Sequence, residues 1–126
     1  MKELISNGTD IIDINRIQRA LERHPDAFLN RTFTEREQES IRKDGTRAQS
    51  VAVLFSVKES IMKSLGRGIG QIDFREIEIL KDEFGKPEAV LSGKAEERMK
   101  ELGICEFLIS ISHEKHYALT FVVAKK

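Results

Sequence analysis

Residues 47–65 read RAQSVAVLFSVKESIMKSL, and the reading of this stretch decides the architecture. Ala48, Val51, Ala52, Phe55 and Met62 recur at helical spacing, which predicts one long helix with an apolar stripe. Asp44-Gly45 breaks the chain before it, and Gly66-Arg67-Gly68-Ile69-Gly70 ends it. Working towards the N-terminus, Thr34-Glu35-Arg36-Glu37 has the spacing of a capping box, so a shorter helix starts there and runs to about Lys43. Residues 15–23 carry Ile17, Ala20 and Leu21 at helical spacing, and His24-Pro25 closes that helix. Residues 4–14 read as a buried strand kinked at Gly8. Towards the C-terminus, Phe74, Ile77 and Ile79 mark a strand. Asp82 to Pro87 forms a turn before Ala89-Val90-Leu91. Ser92 caps a short helix that Gly103 ends. Residues 107–112 and 117–123 alternate with period two around Glu114-Lys115, which predicts a hairpin. Phe107, Ile109 and Ile111 share one face, as do Tyr117, Leu119, Phe121 and Val123. The fold class is α+β, an antiparallel sheet packed on one long helix with shorter helices, in a single domain over residues 1–126.

Composition narrows the function classes. Of 126 residues, 40% are apolar and 33% charged, ordinary values for a globular domain. Lys plus Arg (21) equals Asp plus Glu (21), so bulk charge draws the chain neither to nucleic acid nor to a membrane surface. The longest apolar run, residues 51–55, is far shorter than a membrane span. Met1-Lys2-Glu3-Leu4 opens without an apolar leader. One cysteine, Cys105, excludes an internal disulfide and fits a reducing compartment. The expectation is a cytoplasmic protein.

Three ionisable groups stand where the pattern asks for apolar ones. Glu59 lies in the stripe of the long helix, with Phe55 at i−4 and Met62 at i+3. Asp10 shares a strand face with Ile12 and Ile14. His113 continues the face of Phe107, Ile109 and Ile111. Each has an ordinary explanation: a Glu59–Lys63 pair on the helix surface, a turn or cap at Asp10, a hydrogen-bonded histidine at a strand end. The functional reading brings Asp10 and Glu59 together on a hard divalent cation. Magnesium takes one or two carboxylates and completes its sphere with water and substrate phosphates, which points to a diphosphate substrate. The scarcity of Cys and His disfavours zinc. Lys63, one turn beyond Glu59, would reach a phosphate oxygen or an attacking hydroxyl. Gly66, Gly68 and Gly70 allow close approach of a phosphate-bearing ligand, although a helix C-terminus presents carbonyls, which do not favour anions.

Five segments in register give these residues a context. Gly8-Thr9-Asp10-Ile11-Ile12-Asp13-Ile14 with Arg16-Ile17, Arg31-Thr32-Phe33-Thr34-Glu35-Arg36-Glu37, and Phe55-Ser56-Val57-Lys58-Glu59-Ser60 with Lys63-Ser64-Leu65-Gly66 are the first three. Asp82-Glu83-Phe84-Gly85-Lys86-Pro87 and Ser110-Ile111-Ser112-His113-Glu114 complete the set. Together they resemble the holo-acyl-carrier-protein synthase family of 4′-phosphopantetheinyl transferases, over nearly the whole chain. The resemblance implies the phosphopantetheinyl transferase fold. It also implies a magnesium-dependent transfer of 4′-phosphopantetheine from coenzyme A to a serine of an apo acyl carrier protein.

In that reading Asp10 and Glu59 hold magnesium on the coenzyme A diphosphate, and Lys63 stabilises phosphate oxygens or helps accept the hydroxyl proton. Asp10, Glu59 and Lys63 are thus the implied catalytic set. Water, Glu59 and Lys63 all remain candidates for the group that takes the proton. Lys58, Lys63, Gly66, Gly68 and His113 are the implied contacts to coenzyme A. Arg16, Arg19 and Arg23, on one face of the first helix, are the implied docking site for an acidic carrier protein. The family is typically trimeric, with sites shared between protomers. Two departures bear on partner choice: Leu54 stands where a basic residue is usual, and Arg67 stands between two glycines and would compensate. Asp13 replaces the usual Glu. The rival readings are a transferase for specialised, polyketide-type carriers rather than those of fatty-acid synthesis, and a non-catalytic nucleotide- or protein-binding module.

Overall fold

In a computed structural model that describes residues 3–68 and 70–126, the chain runs β1 (Leu4–Asp13), α1 (Ile14–Arg23), α2 (Pro25–Thr32), α3 (Glu35–Lys43) and α4 (Ala48–Leu65). It continues through a 3₁₀ turn (Phe74–Glu76) to β2 (Ile77–Lys81), β3 (Pro87–Leu91), α5 (Gly93–Leu102), β4 (Glu106–His113) and β5 (Tyr117–Lys125). Met1 and Lys2, in the opening read as lacking a leader, and Ile69 of the glycine-rich loop lie outside the described residues. An antiparallel sheet has strand order β1-β5-β4, and β2 and β3 pair separately.

The long helix and the capping box follow the sequence closely. Thr34 Oγ1 accepts from the Glu37 amide while the Glu37 carboxylate accepts from the Thr34 amide, so both ends of the box close. Three local readings change. Pro25 does not merely close α1; it opens α2, because a first-turn proline lacks only an N–H that has no helical partner anyway. Phe74 belongs to the 3₁₀ turn rather than to a strand. Gly8 does not kink β1, which pairs with β5 without a break from Ser6 to Asp13. Its role is steric: a Cβ there would lie 1.9 Å from the Ser60 carbonyl oxygen, so only glycine lets β1 cross α4 at this distance.

α4 is the axis of the molecule. One side packs with Ile12, Ile17, Phe28, Phe33 and Ala118 around Val51, Ala52 and Phe55. The other side packs with Ile72, Ile77, Ile79, Leu91, Ala95 and Val122 around Val57, Ile61, Met62 and Leu65. Leu54 and Phe74 are half-buried between the two clusters. The sheet meets α4 through small residues. Ala118, Thr120, Val122 and Ala124 of β5 are fully buried beneath it. The large alternate residues Tyr117, Leu119 and Phe121 point the other way and are 43–48% exposed, with Ile11 and Leu108 beside them. The sheet therefore keeps its smaller side chains for its own core and shows a broad apolar face outward.

Candidate active site

Register places Asp10 on the helix-facing side of β1, opposite Thr120 of β5. Its side chain is 14% exposed and is held from two directions. Ser56 Oγ donates to Oδ2 at 2.8 Å, and Lys63 Nζ approaches Oδ1 at 3.3 Å while also donating to the Thr9 carbonyl at 2.9 Å. The Lys63 ion pair is thus made with Asp10, across the β1–α4 crossing, and not with Glu59 one turn back on the helix.

Glu59 stands one turn before Lys63 on α4. Burial, and then the negative charge of Asp10, push its carboxyl above the ordinary value of 4.5; Lys63 and Arg16 pull it partly back. Among the described residues no side chain is hydrogen-bonded to this carboxylate. Asp10 and Lys63 therefore meet where β1 crosses α4, and Glu59 is near enough to feel the charge of both. No group of three or more His, Cys, Asp or Glu capable of holding a metal occurs among the described residues. The donor set suits a hard cation that takes two carboxylates and fills its remaining positions from substrate and water.

Lys58 does not join this site. It is fully buried, and its three N–H bonds go to Glu37 Oε1 at 2.7 Å and to the carbonyls of Phe74 at 2.9 Å and Ile77 at 2.7 Å. Glu37 Oε2 in turn accepts from the Ile79 amide at 2.8 Å. With every donor used, Lys58 has none left for a coenzyme A phosphate; the expected contact is replaced by a buried pair tying α3 and α4 to β2. His113 is exposed, and its Nδ1 lies 2.6 Å from Gln49 Nε2. Gln49 is ten residues before Glu59 on α4, about 15 Å along the axis. His113 is therefore not brought to the Asp10–Glu59 pair of its own chain.

Gly66 caps α4 with a left-handed φ of 67°. Among the described residues, a Cβ added there would meet only Arg98 Nη2 at 3.7 Å, and one at Gly68 would meet nothing within 4 Å, so their side of the α4 end is open to approach. Arg67 donates back to the Gly66 carbonyl at 3.0 Å, and Leu54 packs in the core seam. Arg16, Arg19 and Arg23 do share a face. With Arg31 they line a cleft of about 360 Å³ between α1 and α2. A second cleft of about 680 Å³ adjoins it, lined by Arg16, Phe28, Arg31, Phe55, Phe74 and Lys94 among others. The ring centroids of Phe55 and Phe74 stack at 5.2 Å.

Sequence reasoning missed the aromatic cleft because Phe55 reads as plain core. It also missed Ser56, Ser60 and Thr120, all fully buried around Asp10. The available signal was the run of serines at 56, 60 and 64, spaced to form one polar line on a buried helix.

Residues 6–122 match the family described as the 4′-phosphopantetheinyl transferase superfamily. The chain is 46% identical over 117 residues to the holo-[acyl-carrier-protein] synthase of Caldanaerobacter subterraneus subsp. tengcongensis, covering 93% of this chain and 91% of that protein. The crystal structure of the holo-[acyl-carrier-protein] synthase from Neisseria meningitidis superposes with a TM-score of 0.89 at 34% identity, covering 98% of this chain and 100% of that one. The Helicobacter pylori holo-[acyl-carrier-protein] synthase in complex with coenzyme A gives a TM-score of 0.82 at 32% identity, covering 94% and 98% of the two chains.

Proposed function

The chain belongs to the 4′-phosphopantetheinyl transferase superfamily, among its holo-acyl-carrier-protein synthases, and from that premise we propose that Asp10, Glu59 and Lys63 carry out the transfer with magnesium. The substrates are coenzyme A and an apo acyl carrier protein. A bond forms between the carrier serine oxygen and the β-phosphorus of coenzyme A. The phosphoanhydride bond breaks, and adenosine 3′,5′-bisphosphate leaves. The observation that carries this reading is that Asp10 and Glu59, on two different elements, are near enough for the charge of Asp10 to act on Glu59, beside the Lys63 ammonium that pairs with Asp10. Bound there, magnesium would supply charge neutralisation on the diphosphate, the service phosphoryl transfer needs most. Lys63, tethered at Thr9 and Asp10 and half-exposed, has its ammonium placed for a phosphate oxygen. Water, Glu59 and Lys63 are the candidates for the group that takes the proton of the attacking hydroxyl.

We place the carrier protein on the basic face of α1, at Arg16, Arg19 and Arg23, with the aromatic cleft beside it receiving apolar side chains. The open end of α4 at Gly66 and Gly68 faces coenzyme A. The relatives above are named for acyl carrier protein, which favours the fatty-acid carrier over a specialised one and a catalyst over a bare binding module. Among the described residues no helix is long and apolar enough to cross a membrane, and we place the protein in the cytoplasm.

The oligomer we propose is a homotrimer closed over the outer sheet face, with His113 of one copy serving the site of a neighbour. Two facts support it. The chain's accessible surface of 7630 Å² exceeds the roughly 6800 Å² usual for a 14.4 kDa monomer. In addition, Ile11, Leu108, Tyr117, Leu119 and Phe121 form one uncovered apolar patch.

The deciding experiment mixes the protein with coenzyme A, magnesium and an apo acyl carrier protein. A mass gain of one phosphopantetheine on the carrier is expected, abolished by chelator and by Asp10→Asn. No gain overturns the activity; gain unaffected by chelator overturns the metal.

A further inference from the structure

Three buried hydroxyls lead towards Asp10 through a run of short contacts. Ser56 Oγ lies 2.8 Å from Asp10 Oδ2 and 2.8 Å from Thr120 Oγ1, and Thr120 Oγ1 lies 2.6 Å from Ser60 Oγ. Each hydroxyl has one proton, and an ionised carboxylate only accepts. The Ser56 proton must therefore go to Asp10. Ser56 then offers Thr120 only lone pairs, and the Thr120 proton has two acceptors, Ser56 Oγ at 2.8 Å and the Ser56 carbonyl at 3.0 Å, of which the hydroxyl is the nearer. By the same step, Ser60 donates to Thr120. Thr120 and Ser60 each have a carbonyl as a second acceptor, at 3.0 Å and 3.3 Å, but the shorter contact of each hydroxyl, at 2.8 Å and 2.6 Å, runs towards Asp10.

Ordinary burial of helix serines does not produce this. A serine inside a helix usually returns its proton to a carbonyl one turn back. Ser64, next on the same line, does this with Ile61 at 2.7 Å. Ser60 does not repeat it: its hydroxyl lies 2.6 Å from Thr120 Oγ1 and 3.3 Å from the Thr120 carbonyl. Ser56 and Ser60 instead reach across to β5, and all three hydroxyls are fully buried, out of competition with water. Opposite them, the one ion pair of Asp10 among the described residues is with Lys63, whose side chain is 54% exposed and would draw the carboxylate outward.

We propose that Ser60, Thr120 and Ser56 form a directed hydroxyl chain that fixes the Asp10 carboxylate for metal binding, with Thr120 and Ser60 as positioning residues acting through Ser56. The inference rests on the reading of Asp10 as a metal-holding group. Aligned hydroxyls polarise one another, so the last donor is stronger than an isolated serine. Groups that orient a metal-holding side chain typically change metal affinity by about 10–100-fold when removed.

The test titrates the purified protein with Mn²⁺ in place of magnesium, with no substrate present, and reads free Mn²⁺ by electron paramagnetic resonance. Thr120→Val keeps the shape and removes the hydroxyl; Thr120→Ser keeps the hydroxyl. Ser56→Ala removes the final donor, and Ser64→Ala controls for loss of a buried hydroxyl as such. Ser56→Ala and Thr120→Val should bind Mn²⁺ at least about tenfold more weakly, with Thr120→Ser and Ser64→Ala within about twofold of the parent. Parent-like affinity in Ser56→Ala or Thr120→Val overturns the chain, as does an equal loss in Ser64→Ala. If the parent and Asp10→Asn bind Mn²⁺ equally, Asp10 holds no metal, and the underlying reading falls with this one.

Discussion

Glu59 occupies an apolar slot of a helix and is reached by the charge of Asp10, and that has a measurable consequence. A carboxyl whose proton affinity rises on folding favours the folded state fully below its ordinary 4.5 and loses that contribution as pH rises towards the higher folded value. In metal-free buffer the parent should therefore lose stability relative to Glu59→Gln between pH 4 and neutrality. Added magnesium should restore the parent alone. Calorimetric melting of both proteins across that range checks it; a constant difference would mean that Glu59 is not perturbed. Lys58 was legible only as part of a motif, and its role was misread, because a sequence cannot show that Glu37, 21 positions earlier, comes to meet it. Lys58→Met leaves a buried carboxylate without its cation and should cost about 3–5 kcal/mol in chemical denaturation. A variant as stable as the parent would show that Glu37 finds another partner.

At the scale of elements, the sequence announced α4 and its caps through periodicity and local chemistry, which act within a few residues. What it could not announce is the crossing of β1 over α4, which depends on atoms 52 positions apart, Gly8 and Ser60. Gly8→Ala drives a Cβ into the α4 backbone at Ser60 and Ser64, where no side chain can swing aside. Overpacking of this kind costs roughly 1–3 kcal/mol. It should also lift Asp10, two residues on, away from Ser56, so that the magnesium concentration for half-maximal activity rises along with the fall in melting temperature. A drop in melting temperature alone would separate the crossing from the site. On α1, the three arginines were read correctly as one face, but Arg16 also acts on Glu59. Arg19→Glu is therefore the cleaner probe of docking: the Michaelis constant for the carrier should rise about tenfold, about 1.4 kcal/mol, while that for coenzyme A is unchanged. An unchanged carrier constant would remove docking from this face.

For the whole molecule, the period-two strands made the hairpin legible but not which face looks inward. Tyr117, Leu119 and Phe121 carry the larger apolar side chains, yet they lie outside, because a helix as closely set as α4 leaves room only for Ala118, Thr120 and Val122. With like copies closed over that outer face as proposed, protein concentration becomes a thermodynamic variable of the enzyme. Mass action then ties the melting temperature to concentration, and specific activity should fall on dilution as the sedimentation coefficient drops to that of a single chain. A specific activity and melting temperature independent of dilution would show that one chain suffices. A cell making too little of such a protein would lose more than proportionally, since each missing copy would also take its neighbours out of the working population.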